Sequence, residues 1–244
     1  MILKSVIEKN LAEISRQITS AAEKVGRNAE EISLIAVTKY APDEAVAALL
    51  ELGVRDFGES RQQMLSRRAQ KWPREIFPDL RWHFIGPLQK NKMRRVLQVA
   101  HLIHSGESLE MLTALNHVAQ EEGLRAKVLL EVNLSGEKNK HGFSPETLTR
   151  ELEQIFTLKN LEIHGLMGMT SLDATETDAH FQFALLRRLR DSLREQIHVF
   201  SPDLAAIFRL LSMGMSDDYP VAIMEGASVI RVGSAIFEGI SPDI

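Results

Sequence analysis

Cysteine is absent from all 244 residues. That excludes disulfides, thiolate metal sites and cysteine nucleophiles, and it is compatible with a reducing cytosol. No apolar run is long enough to span a membrane. The opening MILKSVIEKNLAEI is charged and amphipathic and lacks the apolar core and cleavage site of a signal peptide, so a cytoplasmic location is expected. A basic excess is also missing. The formal net charge is −4, which argues against nucleic acid as the partner. His101 and His104 lack metal-ligand spacing, and no other cluster points to a metal. No glycine-rich turn follows the first strand-like stretch, which argues against a dinucleotide-binding domain. The remainder is ordinary for a globular chain, 44% hydrophobic and 25% charged.

What is present is an alternation. Leu3, Ile7, Leu11, Ile14, Ile18, Ala21 and Val25 recur at helical spacing and give one amphipathic helix, which Gly26 stops. After it, short β-branched runs alternate with amphipathic helical stretches. The strands are read at Ile32–Thr38, Val54–Phe57, Trp82–Ile85, Leu102–His104, Lys127–Asn133, Leu161–Met167, Phe208–Ser212 and Val229–Val232. A helix is expected after each strand, the last beginning near Ser234. Eight such units in this length match a single (β/α)8 TIM barrel with an extra N-terminal helix, one domain over residues 1–244. An open doubly wound sheet is the competing architecture.

The first strand, SLIAVTK, ends on Lys39. The C-terminal ends of barrel strands are where ligands bind. By alternation Ile35, Val37 and Lys39 share one face, and Leu34 and Ala36 the other. An inward Lys39 is desolvated, which frees its amine as a nucleophile; an outward one only snorkels at a strand end.

The last two strands end in LSMGMSDD and IRVGSAIF. Each places Gly and Ser between a strand and a helix start, the arrangement that holds a phosphate in many barrels. Gly233 and Ser234 would donate from one loop, and Ser216 with Ser212 from the other; alternatively Ser216 and Ser234 are helix N-caps. Arg231 shares a face with Gly233 and needs a partner if buried, either a ligand or a carboxylate such as Glu131 or Glu225. Barrel closure sets the last strand beside the first, so Lys39 meets Arg231, Gly233 and Ser234 at one mouth. An amine beside a phosphate cradle suits pyridoxal 5′-phosphate (PLP), whose aldehyde forms a Schiff base with lysine.

LIAVTK, DFGES, WHFIGPLQKNK, EVNLSGEKNKHGF, GLMGMTS, LSMGMSDD and IRVGSAIF together resemble the pyridoxal phosphate homeostasis protein family, also called the YggS or PROSC family, over nearly the full length. The resemblance implies a barrel like the alanine racemase N-terminal domain. It implies that Lys39 binds PLP covalently, that Arg231 faces the pyridine nitrogen, and that Ser216, Gly233 and Ser234 hold the phosphate. It also implies a part in balancing intracellular vitamin B6. The chain departs from the family pattern at Ser60 (usually Asn), Met64 (usually Glu) and His141 (usually Ser), so the cofactor contact at Ser60 differs.

An arginine at the ring nitrogen does not protonate it, so carbanion chemistry is disfavoured. A second acid–base group is not evident. The only tyrosines are Tyr40 and Tyr219, and strand alternation points Tyr40 away from Lys39; Asp217 and Asp218 suit a helix start. The expectation is therefore a non-catalytic PLP carrier that passes the cofactor to PLP-dependent apoenzymes, with a small PLP-dependent amino-acid racemase as the alternative. A cofactor-free Schiff-base aldolase and an interaction protein are further readings. With no second domain to supply a racemase-like dimer contact, a monomer is expected. His83 either lines the mouth or is a hydrogen-bonded core histidine. The basic runs Lys90, Lys92, Arg94, Arg95 and Arg187, Arg188, Arg190, Arg194 draw in an anion or are solvated helix faces. The loop Gly136–Gly142, with Lys138, Lys140 and His141, reads as a lid over the phosphate or as a plain polar loop.

Overall fold

The computed structural model describes residues 2–134, 141–171 and 173–240. The loop read as a lid therefore lies outside the described residues except for His141 and Gly142. The chain opens with α1 (Ile2–Glu23) and a 3-10 turn, then alternates strand and helix: β1 (Ser33–Val37), α2 (Asp43–Glu51), β2 (Asp56–Glu59), α3 (Gln62–Lys71), β3 (Arg81–Phe84), α4 (Met93–Leu97), β4 (Leu102–Gly106), α5 (Leu109–Glu121) and β5 (Ala126–Val132). It continues through α6 (Pro145–Phe156), β6 (Leu161–Gly168), α7 (Glu176–Phe200), α8 (Pro202–Ile207), β7 (Leu210–Ser212), α9 (Tyr219–Met224) and β8 (Val229–Val232). The eight strands are parallel and close in sequence order, β8 pairing with β1. The architecture expected from the alternation is the one found, and the open sheet is excluded.

The apolar core has two parts because each strand has two faces. Ala36, Phe57, Ile103, Val128, Leu130, Ile230 and Val232 face outward and join the large core under the helices. Leu102, Leu129 and Met167, with Leu210 packed against them, form a small separate cluster inside the barrel. Beside that cluster the interior also carries polar side chains, the buried His83, His104, Glu131, Ser212 and Arg231.

The N-terminal helix fastens the seam of the barrel. Its buried face is Ile7, Ile14, Ile18, Ala21 and Ala22. Asn10 on α1 donates to the carbonyls of Ile236 and Glu238, and the Tyr219 hydroxyl at the start of α9 donates to Gln17 Oε1 at 2.7 Å. Arg27, just beyond α1, donates to the carbonyls of Ile223 and Ala227.

Three elements differ from the sequence reading. The segment after β8 is a run of turns over residues 234–239, not a helix. An additional short helix, α8, precedes β7, its N-terminus capped by Ser201 with Pro202 in the first turn. And β1 ends at Val37, so Lys39 and Tyr40 sit in a turn beyond the strand.

Candidate functional site

The loops after β7 and β8 meet around one oxygen. Ser216 Oγ accepts the backbone N–H of Gly233 at 3.2 Å and of Ala235 at 3.3 Å. Ser216 is therefore not a helix cap; Asp218 holds the N-cap position of α9. The Asp218 carboxylate is itself engaged, accepting the Met215 N–H at 2.6 Å and the Thr170 hydroxyl at 2.9 Å, which ties the β6 and β7 loops together. Gly214 makes this fit possible. It has a φ of +92°, and a Cβ there would lie 2.6 Å from the Ala222 side chain. Two backbone N–H groups converging on a single oxygen is the geometry that receives a phosphate oxygen. Ala235 is a donor the sequence reading missed. Ser234 makes no side-chain contact to this cradle among the described residues.

Arg231, on β8, points into the barrel and is buried. Its Nη1 donates to Ser212 Oγ at 2.6 Å and its Nη2 to the Gly168 carbonyl at 3.2 Å. Neither expected carboxylate binds it directly: Glu225 pairs with Arg187 and His180, and Glu131 acts only through space. Burial lowers the Arg231 pKa to about 10, so it stays charged at neutral pH. A buried guanidinium whose hydrogen-bond partners are all neutral is unusual for a structural arginine.

Below Arg231 the interior side chains are linked. Ser212 Oγ contacts His104 Nδ1 at 2.9 Å, His104 Nε2 contacts His83 Nδ1 at 3.1 Å, and His83 Nε2 contacts Asp56 Oδ1 at 2.9 Å. Asp56 also receives Arg81 Nε at 2.6 Å. Ser212 therefore supports Arg231 from within the barrel and does not join the phosphate cradle, and His83 is a core residue that does not line the mouth.

Lys39 reaches the mouth on a turn. Its side chain is exposed, the outward one of the two orientations left open by the sequence, and its Nζ lies 5.1 Å from the centroid of the Tyr40 ring. The opposite orientation expected for Tyr40 fails because the strand has already ended. The turn is held from below by Arg68 on α3, whose Nη2 donates to the carbonyls of Thr38 at 3.1 Å and Ala41 at 2.6 Å. Glu59, at the end of β2, lies beside Arg68 Nε and accepts the Thr38 hydroxyl at 2.6 Å. Strand closure sets this turn against the cradle, since a Cβ on Gly233 would lie 3.3 Å from the Val37 carbonyl oxygen. Ser60 sits at the next strand end, where its carbonyl packs so closely on Gly86 that a Cβ there would be 2.1 Å away.

Glu131 is the other group the sequence reading left unassigned as a mouth residue. It shares the inward face of β5 with Leu129. Burial, and then the neighbouring Glu107 carboxylate, push it up to about 7. Glu107 in turn pairs with His141 Nδ1 at 2.6 Å. The basic helices are largely neutralised at the surface: Lys90 pairs with Glu110, Arg94 with Glu121 and Glu122, and Arg187 with Glu225. Among the described residues no group of side chains is arranged to hold a metal ion.

Known proteins share this architecture. The family model of the alanine racemase N-terminal domain matches residues 10–242. The pyridoxal phosphate homeostasis protein of Pseudomonas aeruginosa is 37% identical over 96% of this chain and 95% of its own. The PipY protein of Synechococcus elongatus, solved with PLP bound, is 33% identical, superposes with a TM-score of 0.81, and is matched over 95% of this chain and 99% of its own. An alanine racemase of Clostridium difficile, 17% identical with a TM-score of 0.67 over 98% of this chain and 58% of its own, shares the fold. A closed eight-stranded barrel, matched end to end by such relatives, means that the chain belongs to the pyridoxal phosphate homeostasis protein family, within the wider family of alanine racemase N-terminal domains.

Proposed function

We propose that the protein binds PLP at the barrel mouth, covalently through Lys39, and serves intracellular PLP homeostasis as a holder of the cofactor without turning over a substrate of its own. The observation that carries this reading is the pair of N–H groups, Gly233 and Ala235, converging on one oxygen beside a buried Arg231 that has no carboxylate hydrogen-bond partner among the described residues. Those groups fit a phosphorylated pyridine: the cradle accepts phosphate oxygens and Arg231 presents a donor to a ring nitrogen. When bound, PLP supplies an aldehyde that condenses reversibly with an amine and releases water. Lys39 brings the amine on a turn that Arg68 holds in place. Ser216 exchanges its two backbone donors for the phosphate and lends its hydroxyl as a further donor. Arg231, permanently charged, donates to the ring without giving up a proton, so the ring stays a weak electron sink.

The non-catalytic part of the proposal is supported by the two tyrosines, neither of which is placed as a second acid–base group; it leaves the inward Glu131 as the group a catalytic reading would use. Tyr219 is committed to Gln17 on α1, outside the barrel, and Tyr40 is exposed. We place the protein, within the same proposal, in the cytoplasm as a monomer that hands PLP to PLP-dependent apoenzymes. No helix among the described residues is long and apolar enough to cross a membrane.

The test is borohydride reduction of the PLP-treated protein followed by peptide mapping, alongside the visible spectrum. A pyridoxyl mass on Lys39 and loss of the visible band in Lys39→Ala are expected. An adduct on another lysine alone, or an unchanged band in Lys39→Ala, refutes the assignment.

A further inference from the structure

We propose that Asp56, His83, His104 and Ser212 form a one-way hydrogen-bonded chain through the barrel that positions Arg231, so that Asp56, at the far end of the barrel, is a positioning residue for the cofactor's ring. The inference rests on the PLP-binding reading for its consequence, but not for its geometry. The chain begins at the first residue of β2, Asp56, and climbs through inward side chains of β3, β4 and β7 to Arg231 on β8.

The chemistry of its two ends fixes its direction. A carboxylate only accepts and a guanidinium only donates. Asp56 is held as the carboxylate: burial pushes it up, but the His83 and Arg81 hydrogen bonds outweigh this and keep it below its ordinary value. His83 Nε2 must therefore carry a proton. The proposed chain takes His83 with that single proton, so its Nδ1 accepts and His104 Nε2 donates to it. His104 is fully buried and faces both His83 and Arg231, and its pKa lies well below the ordinary imidazole value, burial being the largest cause. His104 is neutral, so its Nδ1 accepts the only proton Ser212 has. Ser212 Oγ has then donated that proton and receives Arg231 Nη1. Every ring nitrogen and the hydroxyl is used once in each role the chain requires, and none is left idle.

Two consequences follow. Ser212 has no proton to offer the ligand, so Arg231 alone presents donors at the ring end. And the aim of Arg231 depends on a carboxylate it never touches: without an acceptor at Asp56, both imidazoles are free to reverse. In the reversed chain His104 donates to Ser212, whose oxygen then accepts two donors while its own proton is released toward the mouth.

The chain is tested in the cofactor-free full-length protein by 15N NMR of the imidazole nitrogens, which reports tautomers directly. Near neutral pH both His83 and His104 are expected to carry their proton on Nε2. Asp56→Ala is expected to mix the tautomers of His104, a residue that does not contact Asp56, and to weaken PLP binding by about tenfold. Ser212→Ala is expected to leave both tautomers as they were, because the direction is set from the Asp56 end. It also serves where Asp56→Ala fails to fold. A proton on Nδ1 of either ring in the unaltered protein, a doubly protonated His104, tautomers that reverse in Ser212→Ala, or an Asp56→Ala protein with unchanged His104 and unchanged PLP affinity each overturn the proposal. The unaltered protein's tautomers are read without PLP, so a chain that fails and a barrel that does not take PLP give separate results.

Discussion

At the scale of single residues, the placement of Lys39 rests on a buried ion pair on the outer side of the barrel. Arg68 and Glu59 are 1% and 0% exposed, and Arg68 spans the two carbonyls that flank the Lys39–Tyr40 turn. Desolvation pushes Glu59 up even though Thr38 and Arg68 favour its charge, so the pair is costly to bury and costlier still to split. Arg68→Met is expected to lose about 3–5 kcal/mol of stability, because it strands a buried carboxylate. Glu59→Gln combined with Arg68→Met is expected to lose clearly less than the two single changes together. Urea unfolding of the four proteins checks this, and additive losses would show that the pair is not coupled. Arg68 was not legible in the sequence, where it is one cation among several on a polar helix. Lys39, Arg231, Gly233 and Ser216 were legible, because strand counting brings the ends of β1, β7 and β8 together. The partners of His83 and Ser212 were not, because they lie across the barrel: His104 and Ser212 touch from 108 residues apart.

At the scale of elements, the alternation of β-branched runs and amphipathic stretches gave every strand, and the errors fall where tertiary contacts override local pattern. The helix expected at Ser234 does not form. The carbonyls of Ile236 and Glu238 are taken by Asn10 of α1, and Ile240 bonds back to Phe237 in a tighter turn. The short α8 does carry a local signal, since Ser201 followed by Pro202 and Asp203 is a strong helix start. The exposure of Lys39 follows from β1 stopping at Val37, after which alternation says nothing about direction. The motif WHFIGPLQ has a packing reason at its glycine. The Ser60 carbonyl sits where a Cβ of residue 86 would go, so the loops after β2 and β3 can lie together only if that residue has no side chain. Gly86→Ala is expected to cost about 1–3 kcal/mol by overpacking against backbone, which cannot rotate away as a side chain would. The same change displaces Ser60, at the strand end beside the Lys39 turn, so PLP affinity should fall with stability. A Gly86→Ala protein with an unaltered unfolding midpoint would show that the two loops move apart freely.

At the scale of the whole molecule, the polar barrel interior ties stability to pH through groups that work against each other. His104 is held neutral by burial, and burial with its charged neighbours lowers His101 to about 4. Both bind a proton more readily when unfolded, so each removes stability as pH falls from the ordinary histidine value near 6.5 toward its folded value. His164, lowered by burial, adds in the same direction. Glu131 has the opposite sign. Raised from 4.5 to about 7, it holds a proton in the folded state that the unfolded chain has released, so it costs stability as pH rises through that window. Between about pH 5 and 6.5 the histidines outnumber the carboxyl, and the protein is expected to lose stability on acidification by about 1.4 kcal/mol per pH unit, the slope for one net proton. Removing Glu131 exposes the full histidine slope. Glu131→Gln, measured without PLP, should therefore be steeper than the unaltered protein by about one proton across this range. At pH 8, where the buried carboxylate is charged in the unaltered protein, it should be the more stable of the two by about 2–3 kcal/mol. His104→Gln should be shallower by about one proton. Urea midpoints at half-unit intervals from pH 5 to 8 decide between these slopes. Parallel curves for Glu131→Gln and the unaltered protein would mean that Glu131 is charged at the mouth throughout, its charge compensated by His141 and Arg231.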